Sequence, residues 1–240
     1  MFKTEIKELN EKAPEGTRHV VLFCMRHGQG EHNLVMTNND PDSWKLAYAE
    51  KNGAVDPELT ELGKAQATAV GFAWKDMLKR GIPKPEKYLV SPLVRSIDTM
   101  NLTYGELMEK EQKLMVIENL RETFFGNTWD QRRTKSELAS RYANLTFEQG
   151  FSEQDPHEKL ARKLADEGNA ARLDQVRSVM HKIARDCPET YIAITGHRRN
   201  LTALFALLHH RNVRLAQGEI IPVVIKITER DVARNDANGL

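Results

Sequence analysis

Residues 19–25 read His-Val-Val-Leu-Phe-Cys-Met, a nearly unbroken apolar run closed at once by Arg26, His27 and Gly28. Apolar side chains without polar alternation fit a strand buried on both faces, as in a parallel sheet flanked by helices. Residues 87–90, 114–117, 191–195 and 220–228 repeat the theme as short, β-rich segments. Helical patterns separate them, the first after residue 60 and the others at 93–108, 157–185 and 201–208. In the first, Leu62, Ala65, Ala69, Phe72 and Ala73 share one face, Thr60 stands at the N-cap, and Gly81, Pro83 and Pro85 stop the helix. Strands alternating with helices predict an α/β fold, a three-layer α/β/α sandwich with a mainly parallel central sheet.

With 240 residues, 40% of them hydrophobic, the chain can bury one sizeable core, so residues 1–240 read as one domain. Residues 123–156, polar and irregular apart from a short helix at 135–142, read as a lid or insertion over the sheet's edge. The formal charge is only +1 and no basic stripe is evident, which argues against nucleic acid as a partner. No apolar run approaches the roughly 20 residues that cross a bilayer, and residues 1–18 lack the apolar core of a secretory signal. Cys24 and Cys187 have no metal-type spacing. These features lead to the expectation of a cytoplasmic protein acting on a small molecule; they say nothing about oligomeric state.

In open α/β sheets ligands sit beyond the carboxyl ends of the strands. His27, residues 91–95 and His197 follow strand-like segments directly, and Glu122 follows within a few residues. Phosphoryl transfer asks for a nucleophile, a cationic cradle and an acid for the leaving oxygen. His27 can attack phosphorus when its reactive nitrogen is unprotonated, a form that the guanidinium of Arg26 favours. Gly28 permits a tight turn and close approach of a phosphate, and the amide of Asn33 can donate to the same group. Arg95, in the first turn of a helix, offers fork-like donors near a positive helix end. Glu122 follows an apolar strand, where burial would raise a carboxyl's pKa and pairing with the adjacent Arg121 would lower it. His27 and His32 with Asp40 and Asp42 match no metal signature, so neither a metal nor a cofactor is expected.

Five elements, taken in order, resemble the histidine phosphatase (phosphoglycerate mutase-like) superfamily. The first motif is carried by Arg26, His27, Gly28 and Asn33, the second by Asp56, Leu59, Thr60 and Gly63, and the third by Ser91, Pro92, Arg95 and Thr99. Residues 120–122 and the pair Gly196-His197 complete the series. The resemblance implies a phosphoglycerate mutase-like fold and a phosphohistidine at His27. It further implies phosphoryl contacts from Arg26, Arg95 and His197, and proton donation by Glu122. Two departures stand out. Gly30 occupies a place where many members carry a Thr or Ser hydroxyl that touches phosphate, and the surrounding residues are similar to a fungal and plant branch. Arg198 follows His197 where small residues are usual, and it either reaches a second anionic group of the substrate or begins a helix on the solvent side.

The reading favoured by the sequence is a metal-independent phosphatase of small phosphate esters. The alternatives are a cofactor-dependent phosphoglycerate mutase, in which a Trp would stand where His32 is, and a non-catalytic phosphate-ligand binding protein.

Overall fold

In the computed structural model, residues 2–38, 55–122, 128–156, 159, 163 and 166–233 are described. Strand β1 (Thr17–Arg26) is the apolar run read from the sequence, and its side chains alternate between two cores. Val20, Leu22 and Cys24 enter one; Val21 and Phe23 enter the other. This is the period-two geometry of a strand covered on both faces. β2 (Lys87–Val90), β3 (Leu114–Val116), β4 (Leu145–Phe147), β5 (Tyr191–Gly196) and β6 (Ile220–Thr228) complete a six-stranded sheet ordered β4-β3-β2-β5-β1-β6. Neighbouring strands are parallel except for β6, which runs antiparallel to β1 at one edge.

Helices cover both faces, so the fold is the three-layer α/β/α sandwich. On one side lie α1 (Phe2–Glu11), α3 (Glu61–Lys79), α4 (Val94–Tyr104) and α5 (Lys135–Arg141), contributing Ile6, Trp74, Ile97 and Leu138 to the core. On the other lie α6 (Asn169–Asp186) and α7 (Arg198–Leu207), contributing Val176, Ile183, Leu201 and Phe205. Two short helices, α2 (Glu31–Asn38) and α8 (Glu229–Ala233), follow β1 and β6. Arg18, entering β1, donates to the carbonyls of Ile183, Ala184 and Cys187, the last at 2.7 Å. It thereby satisfies the Ala184 and Cys187 carbonyls, which the end of α6 leaves unbonded, while the Ile183 carbonyl accepts from the Cys187 amide as well.

The structure corrects several local readings. The face of α3 carrying Leu62, Ala65, Ala69, Phe72 and Ala73 points to solvent, and the buried stripe is Gly63, Ala67, Gly71 and Trp74. Close approach explains the inversion: a Cβ on Gly71 would lie 3.0 Å from the carbonyl oxygens of Leu102 and Thr103 in α4. Small residues therefore mark the interface, and Trp74 anchors it by edge packing on Phe23 and Tyr104. α4 ends at Tyr104 rather than at residue 108, with Gly105 at its C-cap. The helix expected over 157–185 is interrupted at Gly168, whose φ of +58° is left-handed backbone that suits glycine. Residues 157, 158, 160–162, 164 and 165 of that stretch lie outside the described residues. α7 begins at Arg198, not at 201. Within 123–156, Leu145–Phe147 joins the sheet as an edge strand too short to show a pattern of its own.

Gly63 also fixes the chain beyond β1. A Cβ there would stand 2.0 Å from the carbonyl oxygen of Gln29, and one on Gly28 would stand 2.4 Å from that of Gly63. Thr60 caps α3 by accepting from the Gly63 amide at 3.0 Å, while its own amide donates to the Gln29 carbonyl at 2.9 Å. Gly63→Ala is expected to cost about 1–3 kcal/mol by overpacking this contact, read as a lower urea midpoint. Ala65→Ser, on the exposed face of the same helix, should leave the midpoint nearly unchanged.

Candidate active site

The register of the sheet builds the site. Arg26 pairs with Gly196 across β1 and β5, and Val90 of β2 pairs with Thr195. The three parallel strands therefore end side by side, and the residues just after them converge. The His27 amide donates to the Gly196 carbonyl at 3.0 Å, and the rings of His27 and His197 lie 4.9 Å apart. One strand further out, Ile117 donates to the Val90 carbonyl, and a single 3₁₀ turn (Glu118–Leu120) carries the chain to Arg121 and Glu122.

A cavity of about 640 Å³ opens over these strand ends. Arg26, His27, Asn33, Arg95, Glu122 and Arg198 line it. His197 is buried against His27, with Nε2 2.7 Å from the Ser91 hydroxyl. Gly28 and Gly30 support the loop: their amides donate to Thr99 Oγ1 and Asn33 Oδ1, each at 3.0 Å. Asp40, Asp42 and Trp44 lie outside the described residues, as do 39–54 and 123–127, the latter including Phe124 and Phe125. Among the described residues no group of three His, Cys, Asp or Glu side chains is placed to hold a metal ion.

The tautomer of His27 follows from its neighbour. Nδ1 lies 2.6 Å from the Gly28 carbonyl oxygen, which can only accept, so Nδ1 carries the proton and Nε2 keeps its lone pair. Burial, reinforced by the charges of Arg95 and Arg26, holds the His27 pKa well below the ordinary imidazole value. The ring is therefore neutral at physiological pH. Burial and the Arg95 charge hold His197 and His32 well below it too.

Arg95 is buried in the first turn of α4. Its guanidinium donates to the Trp129 carbonyl at 2.7 Å and to Asp130 Oδ1 at 3.0 Å, while Nε has no partner among the described residues. Asp130 therefore takes the place that Asp98 would hold on a simple surface helix; Asp98 instead accepts from Tyr142 at 2.7 Å. Asp56, at a positive φ of 53°, accepts the Val94 amide and so holds the start of α4, and burial raises its carboxyl to about 7. Arg121 is committed away from Glu122, to Glu118 at 3.0 Å and Asp155 at 2.5 Å. The Arg121 carbonyl is held by Gln175 at 3.1 Å and Asn200 at 3.3 Å, which fixes the backbone leading into Glu122.

Three sets of residues escaped the sequence reading. His32 fills the space beside Gly30, where a Cβ would lie 2.7 Å from its Nδ1. The absent hydroxyl at position 30 is thus matched by a neighbouring imidazole. The glycine was the available signal, but only the fold shows what occupies the gap. Asp130 and Asp56 position Arg95 from distant segments. Arg172 and Arg214 join the cavity wall from stretches without any motif, and Arg199 joins it from the residues just after His197, where the sequence alone shows only the start of a helix.

A family model described as the histidine phosphatase superfamily (branch 1) matches residues 22–223. This chain belongs to that superfamily. Among histidine phosphatase relatives, a protein of Arthroderma benhamiae named "Probable phosphoglycerate mutase" is 30% identical over 243 residues, 98% of this chain and 72% of its own length. "Phosphomutase-like protein 3" of Candida albicans is 31% identical over 225 residues, 90% of this chain and 69% of its own. The crystal structure of a phosphoserine phosphatase from Entamoeba histolytica, in complex with 3-phosphoglyceric acid, superposes with a TM-score of 0.51 at 20% identity, covering 85% of this chain and 89% of that one. At that identity the likeness speaks for the histidine phosphatase fold alone.

The buried histidines set a pH dependence of stability. Unfolded histidines take up protons near pH ~6.5, whereas His27, His32 and His197 do so only at lower pH in the native state. Stability is therefore lost as pH falls below ~6.5, each proton held only by the unfolded chain adding about 1.4 kcal/mol per pH unit. Asp56 acts in the opposite sense: with its carboxyl raised to about 7, the native state keeps a proton that the unfolded chain has released. Asp98, Glu118 and Asp130, also raised by burial, act in the same sense as Asp56. The histidines' own contribution, which drops between pH ~7.5 and ~5.5, is therefore read by comparing the urea midpoints of wild type and a histidine variant. His32→Gln should flatten that dependence.

Proposed function

We propose that this chain is a metal-independent phosphatase that hydrolyses small-molecule phosphate esters through a phosphohistidine at His27. The observation that carries the reading is the hydrogen bond from His27 Nδ1 to the Gly28 carbonyl. It leaves Nε2 unprotonated, in a cavity also lined by the guanidiniums of Arg26 and Arg95. Superfamily membership and relatives named for phosphatase and mutase activities lend further support.

In this mechanism Nε2 attacks phosphorus, and the P–O bond to the leaving group breaks. Glu122 gives its proton to the departing oxygen. Arg26, Arg95 and His197 stabilise the equatorial oxygens, Arg95 through the N–H groups not already given to Trp129 and Asp130. The amide of Asn33 borders the same space. Water then attacks the phosphohistidine, Glu122 takes up its proton, and inorganic phosphate leaves with His27 neutral again. Gly28 and Gly30 act by letting the loop pack tightly under the phosphate. The partner is a small phosphorylated molecule, not nucleic acid or membrane; among the described residues no helix is long and apolar enough to cross a bilayer. A cytoplasmic location belongs to the same reading, supported by two cysteines that stay buried and unpaired.

The test is phosphate release from a panel of esters with EDTA present. His27→Ala should lower kcat by about a thousandfold or more, and rapid acid-free quenching of the wild type should trap a phosphohistidine. Activity lost to EDTA, or retained by His27→Ala, would overturn the reading. So would interconversion of 3- and 2-phosphoglycerate that requires bisphosphoglycerate, which would assign a mutase. Glu122→Gln should slow alkyl phosphates by roughly 10²–10⁴-fold and p-nitrophenyl phosphate far less, because its leaving group needs little protonation.

A further inference from the structure

The cavity carries more positive charge than one phosphoryl group can use. Arg26, Arg95, Arg172, Arg198, Arg199 and Arg214 line it, against the carboxylates of Glu122 and Asp130. Asp130 is already paired with Arg95. Arg26 and Arg95 serve the chemistry at His27, but the other four have no part in it. They come from three separate places: Arg172 from the first turn of α6, Arg198 and Arg199 from the first turn of α7, and Arg214 from the segment between α7 and β6.

Composition does not account for this gathering, since the whole chain carries a net charge of only +1. Local helix electrostatics oppose it: the start of a helix is its positive end, where anions are favoured and cations are not. Arg198 and Arg199 nevertheless open α7 directly after His197. Arg198 is also close enough to Arg26 that their repulsion, after burial, lowers the Arg26 pKa. Among the described residues, neither Arg198 nor Arg214 lies in an ion pair. An exposed arginine is ordinarily a solvated side chain at no cost, but several converging on one cavity wall repel each other and the helix end. A bound anion removes both penalties.

We propose that this wall is a second phosphate subsite, so that the preferred substrate is a small molecule bearing two phosphate groups, one at His27 and the other held by Arg198 and Arg214. Phosphate fits better than carboxylate. A carboxylate brings two oxygens and one negative charge, whereas a terminal phosphate brings three oxygens and close to two charges at neutral pH, and so answers guanidiniums from several directions at once. A cavity of about 640 Å³ lies within the range that encloses a small ligand. The inference rests on the phosphatase reading and adds to it the class of substrate.

The experiment compares kcat/KM for fructose bisphosphate, fructose monophosphate and phosphoglycerate, in which a carboxylate takes the second position, using wild type, Arg198→Ala, Arg214→Ala and the two Lys variants. The bisphosphate should exceed the monophosphate by about 10- to 100-fold, the range spanned by charge-assisted hydrogen bonds. Each Ala variant should bring that ratio down toward one, and each Lys variant should recover part of it. Thermal midpoints measured alongside would show that the exposed substitutions leave the fold intact. Equal kcat/KM for the two fructose esters in an active wild type would overturn the subsite while leaving the phosphatase reading standing. Phosphoglycerate equal to or better than the bisphosphate would overturn the assignment to phosphate, and a ratio untouched by both Ala variants would overturn the named residues. No turnover of any ester by wild type, with His27→Ala indistinguishable from it, would sink the phosphatase reading itself.

Discussion

The parallel pairing of β1 with β5 is the constraint on which the site depends. Arg26 and Gly196 are register partners, and the chain leaves both strands at the same level, so His27 and His197 arrive as neighbours. Both strands are buried, and a shift of one residue would send every side chain to the opposite core. The separation of the two imidazoles is therefore set by hydrogen-bonded backbone inside the core, not by flexible loops. Precision of this kind is what chemistry based on positioning requires.

Around that pair the protein holds charge in an arrangement that a solvated surface would not support. Three neutral histidines stand beside buried arginines, and each is kept neutral by burial and by Arg95. Arg95 is in turn held by the 3₁₀ turn Thr128–Asp130, which Arg121 ties down through the Asp130 carbonyl. Arg121 and Arg132 share Glu118, and Asp155 accepts from Arg121 and from the Arg132 amide at 2.6 Å. Such a buried ionic network adds little net stability, because desolvation offsets its Coulombic gain. Its effect is to define one arrangement for the segments that present Arg95 and Glu122. Breaking one member would leave a charge stranded in the core.

Legibility in the sequence followed the range of the interactions. The strands of the sheet's centre were readable because burial on both faces writes an apolar run into the chain itself. Thr60 was readable as an N-cap because capping is local. The buried face of α3 was not. Tight contact of α3 with the chain after β1 selects Gly63, and its contact with α4 selects Ala67 and Gly71, residues that a hydrophobic pattern ignores, while Leu62 and Phe72 stay outside. β4 was missed because three residues at a sheet edge carry no period. The break at Gly168 depends on a backbone angle that composition does not reveal.

The candidate site divides along the same line. The sequence by itself determined the residue types and their order: His27 after Arg26, Arg95 at the start of a helix, Glu122 after a strand, and His197 at the end of another. Those features follow from local backbone form, which a motif records directly. Only the tertiary structure decided which proton His27 carries, that Arg121 turns away from Glu122, that Asp130 and Asp56 place Arg95, and that Arg172, Arg199 and Arg214 share a wall with Arg198. Each of these is a contact between segments far apart in the chain. Its energy depends on a distance that exists only once the strands have paired and the helices have packed over them.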